Sequence, residues 1–344
     1  MELNFITEYS TEVKKQWSEF VKSHPQGTAF QGPEMYELFL QTEYFKPIFI
    51  LACKPDQFLA GVVLAVEIRE YRGLIGKFSA RTVVYGGPLI HPESGNREEV
   101  LDQLLKELIR KVSKKTVFIQ LRNFFNWDAF RHVFENNGFR FRERLNFIVD
   151  TKDEQALKGR VSKSKLRQIR QSFDAGVRII VPEKIEQVEE FYYILYDLYR
   201  KKVRKPLPKW SFFSSFFYAM QKGELGVILL VKYENRIIGG VLCPVFADRV
   251  IYEWYICGLD REFDKIYPSV MATWAPIEYA LKNNIVAFDF MGVGTPRQKY
   301  GVREFKSKFG GRLVNYGRWT RINNSWIYSI SELFYNLLTV FRKV

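Results

Sequence analysis

The chain has 344 residues, 47% of them hydrophobic and 16% aromatic, which excludes a disordered polypeptide and suits two globular domains. Its 52 Lys and Arg outnumber 38 Asp and Glu, a formal net charge of +14. That balance favours polyanionic partners such as RNA, phosphorylated precursors or an anionic membrane face, and it also suits an ordinary basic protein. Cys53, Cys243 and Cys257 stand far apart in apolar runs without CxxC spacing, and the only histidines are His24, His91 and His132. These spacings argue against a disulfide framework, a metal site or a nucleophilic triad, and for core thiols in a reducing compartment.

The N-terminal run MELNFITEYSTEVKKQW has early acidic residues and no apolar core, so nothing in it suggests export. No uncharged stretch reaches the roughly 18 residues that a membrane-spanning helix needs. The expected location is therefore the cytoplasm, with peripheral contact at the inner membrane face left open.

In chain order, Pro47 to Cys53 predicts a strand, Lys54-Pro55-Asp56-Gln57 a turn and Leu59 to Ile68 a second strand. Leu101, Leu104, Leu105, Leu108 and Val112 make a helical stripe that leads into a strand over Val117 to Leu121. From Arg160 to Gly176 a helix carries Leu166, Ile169 and Phe173 as its apolar stripe, with Lys163, Arg167 and Arg170 on another face. That row of cations can contact the phosphates of an RNA; it also reads as a solvated face. Gly176 fits a C-cap, and Val177 to Val181 a strand. The next helix, Ile185 to Val203, buries Ile185, Val188, Tyr192, Leu195 and Tyr199 and runs into a basic stretch from Arg200 to Lys209, a candidate border for an anion site. Strands follow over Leu225 to Val231 and Ile237 to Phe246, with a turn at Glu234-Asn235-Arg236. A helix over Val270 to Leu281 precedes a strand over Val286 to Phe290.

Matching elements of the two halves sit about 170–180 residues apart, the spacing of a duplicated α/β unit; chance recurrence of common hairpins is the alternative. The C-terminal stripe Ile327, Ile330, Phe334, Leu337 and Phe341 either packs back onto the first domain, the preferred reading, or lies on a membrane surface.

The chemistry concentrates near the C-terminal end. Phe288-Asp289-Phe290-Met291-Gly292-Val293-Gly294 is a short strand with one aspartate running into a glycine-rich stretch, and Phe305-Lys306-Ser307-Lys308-Phe309-Gly310-Gly311 follows. Glycines let backbone N–H groups approach a ligand, and a fixed ammonium can hold a carboxylate, a phosphate or a developing oxyanion. Asp289 can orient or deprotonate an amine, or simply cap the loop after its strand. Gly292 and Gly294 admit either a substrate or a neighbouring strand. Lys306 also reads as a lysine snorkelling from the end of an element.

The runs SKSKLRQIRQSFDAGVRI, VIYEWYICGLD, YPSVMATWAPIEYALKNN, FDFMGVG and VREFKSKFGGRLVNYG together resemble the Fem family, over residues 155–320, with a weaker echo in TAFQGPEMYELFL. Fem enzymes are non-ribosomal peptidyltransferases that add amino acids from aminoacyl-tRNA to peptidoglycan precursors. The resemblance implies an α/β chain of two tandem acetyltransferase-like (GNAT) domains with mixed, largely antiparallel sheets, at 1–150 and 151–320, residues 321–344 packing back on the first. The interval from Arg200 to Leu225 leaves no room for the helical arm that many members insert. Lys306, after Phe305, matches the lysine that the family places beside the reacting groups, which implies stabilisation of the tetrahedral oxyanion or of the leaving ribose oxygen. No cofactor is implied beyond aminoacyl-tRNA as co-substrate, and the partner is a nucleotide- or lipid-linked peptidoglycan precursor.

Precursor recognition departs from the family pattern. The arginine and tyrosine that hold the nucleotide-linked muropeptide fall at Lys209 and Phe213, with Arg204 as a substitute from the loop. Tyr252, Trp254 and Tyr255 are candidates for the family's second tyrosine, and strand alternation puts Tyr252 and Trp254 on one face with Glu253 and Tyr255 on the other, so not all three can face the site. The first-domain lysine has no counterpart in Met35-Tyr36-Glu37-Leu38. The glycines do not form the pyrophosphate loop of an acetyl-CoA enzyme. Two further readings stay open: an acyl-CoA-dependent N-acyltransferase on an amino sugar or exopolysaccharide precursor, and a catalytically silent RNA- or envelope-binding protein.

Overall fold

The computed structural model describes residues 2–70, 76 and 78–330. Its strands are β1 (Asn4–Ile6), β2 (Phe45–Cys53), β3 (Leu59–Ile68), β4 (Arg81–Gly86), β5 (Leu89–Ile90), β6 (Phe118–Asn123), β7 (Arg140–Arg142) and β8 (Leu145–Asp150). Then come β9 (Arg178–Ile180), β10 (Gly226–Tyr233), β11 (Arg236–Phe246), β12 (Val250–Tyr252), β13 (Tyr255–Gly258), β14 (Ala287–Asp289), β15 (Arg312–Asn315) and β16 (Arg318–Ile322). They build two 8-stranded sheets, one in each of two compact units.

The first sheet runs β1-β2-β3-β4-β6-β16-β7, with β5 beside β3. Only β4 and β6 pair in parallel among its described strands. The helix Arg97–Val112 covers it, with Leu101, Leu104, Leu105, Leu108 and Val112 each at 0% exposure, as the apolar spacing requires. The second sheet runs β15-β8-β14-β12-β11-β10-β9, with β13 beside β11 and a parallel pair of β12 with β14. The order repeats strand for strand, so both sheets are mixed and largely antiparallel, and the α/β duplication is visible in topology.

One step in each sheet breaks the sequence order. β8 follows β7 after Glu143 and Arg144, yet it pairs with β14 and β15 in the second sheet. β16 follows β15 after Tyr316 and Gly317, yet it pairs with β6 and β7 in the first. The second unit is therefore Arg144–Asn315, and the first resumes at Tyr316; the expected boundaries at 150/151 and 320/321 are corrected. The physical reason is burial: Leu145, Phe147 and Val149 belong to the second core, whereas Trp319 belongs to the first and stacks on Phe134 at 4.8 Å. Gly317 turns the chain into β16 at φ 66, where a Cβ would lie 2.2 Å from the Phe141 ring.

Two local expectations shift. The helix Lys163–Asp174 buries Lys165, Ile169 and Ser172, while Phe173 is 38% exposed, so the apolar stripe is displaced by one position. The helix Ile185–Leu198 gives way to a π-helical turn, Tyr199–Val203, which ends at Arg204 in the left-handed region (φ 55). Between that turn and β10 stands only the 12-residue helix Trp210–Gln221, so no arm is inserted. Of the C-terminal stripe, Phe334, Leu337 and Phe341 lie outside the described residues, and Trp326 beside it is 83% exposed. Among the described residues no helix is long and apolar enough to cross a membrane.

Candidate active site

In the second unit, β12 and β14 run in parallel until Tyr252 meets Asp289, and there the pairing ends. Parallel strands that part at their carboxyl ends leave a place for side chains and ligands. Here the parting is made by a bulge. Val245 pairs with Ile251 and Leu242 with Tyr255, so the three residues Tyr252 to Trp254, where β12 passes into β13, face two of β11. The Glu253 N–H turns away to the Asp289 carbonyl at 2.9 Å, and the Trp254 N–H returns to the Leu242 carbonyl at 3.1 Å.

The bulge aims the Glu253 carboxylate into the protein, where it meets Lys306. The seven-residue helix Gly301–Ser307 presents that lysine. Lys306 Nζ lies 2.6 Å from Glu253 Oε1 and donates to the Phe290 carbonyl at 3.0 Å. Both side chains are nearly sealed, at 11% and 2% exposure. An ammonium has three N–H donors. Two of these are engaged, and no protein acceptor takes the third among the described residues. Glu253 Oε2 is likewise buried without a hydrogen-bond partner.

Asp289 adjoins this pair. Its Oδ1 accepts from Asn146 Nδ2 at 2.7 Å and from the Met291 N–H at 2.6 Å. Asn146 Oδ1 in turn accepts from the Gly292 N–H at 2.7 Å and the Phe147 N–H at 2.9 Å. The chain can wrap Asn146 this way because Met291 and Gly292 take φ of 56 and 126. Val293 N–H and Gly294 O then pair with the Leu145 backbone at 2.8 and 2.9 Å. The glycine stretch is thus stitched to the start of β8, and its Gly292 and Val293 donors are spent inside the protein. Arg303 holds the outer side, donating from Nε to the Val293 carbonyl at 3.0 Å and from its guanidinium to the carbonyls of Thr295 and Pro296.

Burial pushes the Asp289 carboxyl up to about 6, against the pull of Asn146, the Met291 N–H and Lys306. Burial also raises Glu253; the Lys306 ammonium opposes the shift and the Asp289 charge adds to it. The cluster therefore sets two carboxyl groups against one ammonium in a place almost closed to water. This is an arrangement for holding and relocating charge.

Of the residues singled out in the sequence, Asp289 and Lys306 come together here. Phe305 does not enter the cluster: it packs on Phe309 at 5.4 Å under the Lys165 ammonium, 4.4 Å from its ring. Tyr252 is 2% exposed, and its phenol is pushed well up by burial and by Asp289. Trp254 stacks on Tyr255 at 5.5 Å and meets Phe212 edge-on at 5.0 Å. The bulge between them breaks the alternation that would have placed Tyr252 and Trp254 on one face. Phe213 is corrected from a precursor-binding position to a core ring, at 0% exposure among Phe191, Tyr192 and Tyr255. Lys209 precedes the helix Trp210–Gln221 as its N-cap residue, and Arg204 closes the π-helical turn. Lys163, Arg167 and Arg170 are exposed along their helix.

Asn146 and Glu253 are the residues that sequence reasoning passed over as functional. Their signal was present: each is a polar residue between apolar or aromatic neighbours, in LNFIV and VIYEWYICG.

A neighbouring feature bears on ligand class. The helix Pro268–Lys282 begins just beyond β13, and its N-terminus would attract a phosphate. Asp260 already occupies it, accepting from the Ser269 N–H at 2.8 Å and the Ser269 hydroxyl at 2.5 Å.

Residues 160–307 match the family described as acetyltransferase (GNAT) domain. Among solved structures, FemX superposes with a TM-score of 0.71 at 15% identity, covering 96% of this chain and 99% of its own. The chain has a tandem GNAT fold similar to that of FemX. A tandem GNAT protein from the clavulanic acid biosynthesis pathway gives a TM-score of 0.58 at 12% identity, covering 94% and 99% of the two chains. L-PGS from Bacillus licheniformis gives 0.57 at 14% identity, with coverage of 94% and 96%. No curated protein sequence matches the chain. The GNAT match lies within the unit that carries the cluster, since it ends just after Lys306.

Proposed function

We propose that this protein forms an amide bond on a peptidoglycan or related cell-envelope precursor, with an aminoacyl-tRNA ester as the donor. The observation that carries the reading is the geometry of Lys306. A buried ammonium fixed by Glu253 and the Phe290 carbonyl, 5.0 Å from the Phe290 ring centroid, has one N–H that no hydrogen-bond acceptor takes among the described residues, at the point where two parallel strands part. Such a donor is pre-organised for an oxyanion that appears only in the transition state. The lone pair of the acceptor amine attacks the ester carbonyl carbon, and the π electrons of the carbonyl pass to its oxygen, which the Lys306 N–H meets. The C–N bond forms, the C–O bond to the ribose breaks, and the proton lost by nitrogen ends on the ribose oxygen. No covalent enzyme intermediate is required.

Two further observations support this donor. The exposed row Lys163, Arg167 and Arg170 suits a polyanion such as tRNA. The Asp260 carboxylate on the helix N-terminus disfavours the pyrophosphate of a CoA donor there, which weighs against an acyl-CoA-dependent N-acyltransferase. The envelope precursor as acceptor is what the sequence resemblance to the Fem family implies, and the fold similarity to FemX accompanies that resemblance.

The test is mass spectrometry of a nucleotide-linked muramyl-pentapeptide incubated with the protein and a pool of charged tRNAs, beside Lys306→Ala. An added aminoacyl mass that disappears in the variant is expected. Transfer that persists in Lys306→Ala, or acyl-CoA turnover without tRNA-dependent transfer, refutes the proposal.

A further inference from the structure

The transfer step gives Lys306 a task, but it leaves Glu253 Oε2 unused. Among the described residues this oxygen is a buried acceptor without a hydrogen-bond partner, on a side chain only 2% exposed. Polar atoms so placed are rare in folded proteins, because an unmet carboxylate oxygen forfeits its hydration without return. It is also an oriented atom. The other oxygen of the same carboxylate is pinned 2.6 Å from Lys306, and the backbone N–H of Glu253 is pinned to Asp289, so the bulge fixes the side chain at both ends.

We propose that Glu253 Oε2 is a receiving site for a primary ammonium group of a substrate, an inference that rests on this cluster being the transfer site. Three groups face Glu253 from neighbouring elements: Lys306 on its helix, Asp289 on β14 and the uncharged thiol of Cys243 on β11. With both carboxyl groups ionised, the set carries one negative charge in excess of the single ammonium. A second cation balances it, and a neutral acyl chain does not.

The position fits the chemistry of the reaction. Oε2 belongs to the carboxylate that holds Lys306, whose free N–H marks the site of the carbonyl oxygen. Both substrates of an aminoacyl transfer carry an amine close to that carbonyl: the donor has its α-ammonium on the adjacent carbon, and the acceptor has the attacking amine itself. The shared chemistry is the ammonium group, and experiment separates its two sources.

The test is calorimetric binding of paired probes to the full chain. The donor pair is a 3′-aminoacylamido-adenosine, a stable amide mimic of the ester, with its α-amine free or acetylated. The acceptor pair is a lysine-containing peptide with its side-chain amine free or acetylated. In wild type the free amine binds at least about tenfold tighter than its acetylated twin in one arm, the effect of one charge-assisted hydrogen bond, and that arm names the source. The preference disappears in Glu253→Gln. Should that variant fold poorly, Glu253→Gln/Lys306→Met removes both charges of the pair, and the ratio of free to acetylated affinity still reports the site. Equal binding of free and acetylated probes in both arms, or no binding of any probe, overturns the inference. Aminoacyl transfer alongside equal binding leaves the proposed function standing without this subsite. A clear ammonium preference in a protein that transfers only from acyl-CoA keeps the subsite and removes the tRNA reading.

Discussion

The Glu253–Lys306 pair predicts an asymmetric double-mutant cycle. The two groups lie 2.6 Å apart at 2% and 11% side-chain exposure, so neither is screened by water when its partner is removed. Removing one member of such a buried pair costs about 3–5 kcal/mol, whereas replacing both with uncharged side chains of similar size is close to neutral. Glu253→Gln falls in that range, because the buried Lys306 ammonium loses its counter-charge and keeps only neutral acceptors, the Gln amide oxygen and the Phe290 carbonyl. Lys306→Met costs less near neutral pH and lower, since burial already raises the Glu253 carboxyl and a proton can replace the lost lysine. The double variant recovers most of the loss, giving a coupling of about 3 kcal/mol. Urea denaturation followed by tryptophan emission reads this out, with Trp254 beside the bulge as the local reporter. Singles and double that simply add would refute the pair as a coupled buried unit, and with it the fixed orientation of Lys306 on which the proposed chemistry depends.

Three further outcomes follow from the geometry. Asp289 has a folded pKa of about 6 against an ordinary 3.8, so the folded state binds its proton more tightly. Its contribution to stability is full below the ordinary value and is lost as pH rises through about 6, by roughly 3 kcal/mol. Asp289→Asn, which keeps an oxygen for Asn146 and the Met291 N–H, flattens that slope; an unchanged stability–pH curve between these values would contradict the assignment. A fragment ending at residue 150 keeps β8 without β14 and β15 and lacks β16, so it does not fold, while adding the segment from Tyr316 onward in trans restores protease resistance; a stable, cooperatively melting 1–150 fragment would count against the strand exchange. Replacing Lys163, Arg167 and Arg170 by Gln weakens binding of charged tRNA and lowers the salt slope by about one for each phosphate no longer neutralised, leaving thermal stability within about 0.5 kcal/mol. An unaltered slope would place the RNA elsewhere.

Much of the fold was written in local pattern. The stripe from Leu101 to Val112, the hairpins β2–β3 and β10–β11, and the repeat of their spacing across the chain follow from side-chain periodicity, because a helix or a strand must turn its apolar face to a core whatever lies beyond it. Asp289, Lys306 and the glycines between them were legible as residue types with chemical capacity. What the sequence could not decide is partnership. LNFIVD and RWTRI were not singled out as strands in the sequence, and nothing in either run says which sheet it completes; burial of Phe147 and Trp319 decides that. The alternation of Tyr252, Glu253, Trp254 and Tyr255 held only until a bulge added one residue opposite β11. That shift turned Glu253 onto a lysine far along the chain. Phe213 shows the reverse: a position reached through family register became a core ring, because its helix turns that face onto Phe191, Tyr192 and Tyr255. Local sequence sets which groups exist and which face each element offers. The distance between charged groups, and so their protonation and use, is set by contacts between segments remote in the chain, which only the folded structure brings together.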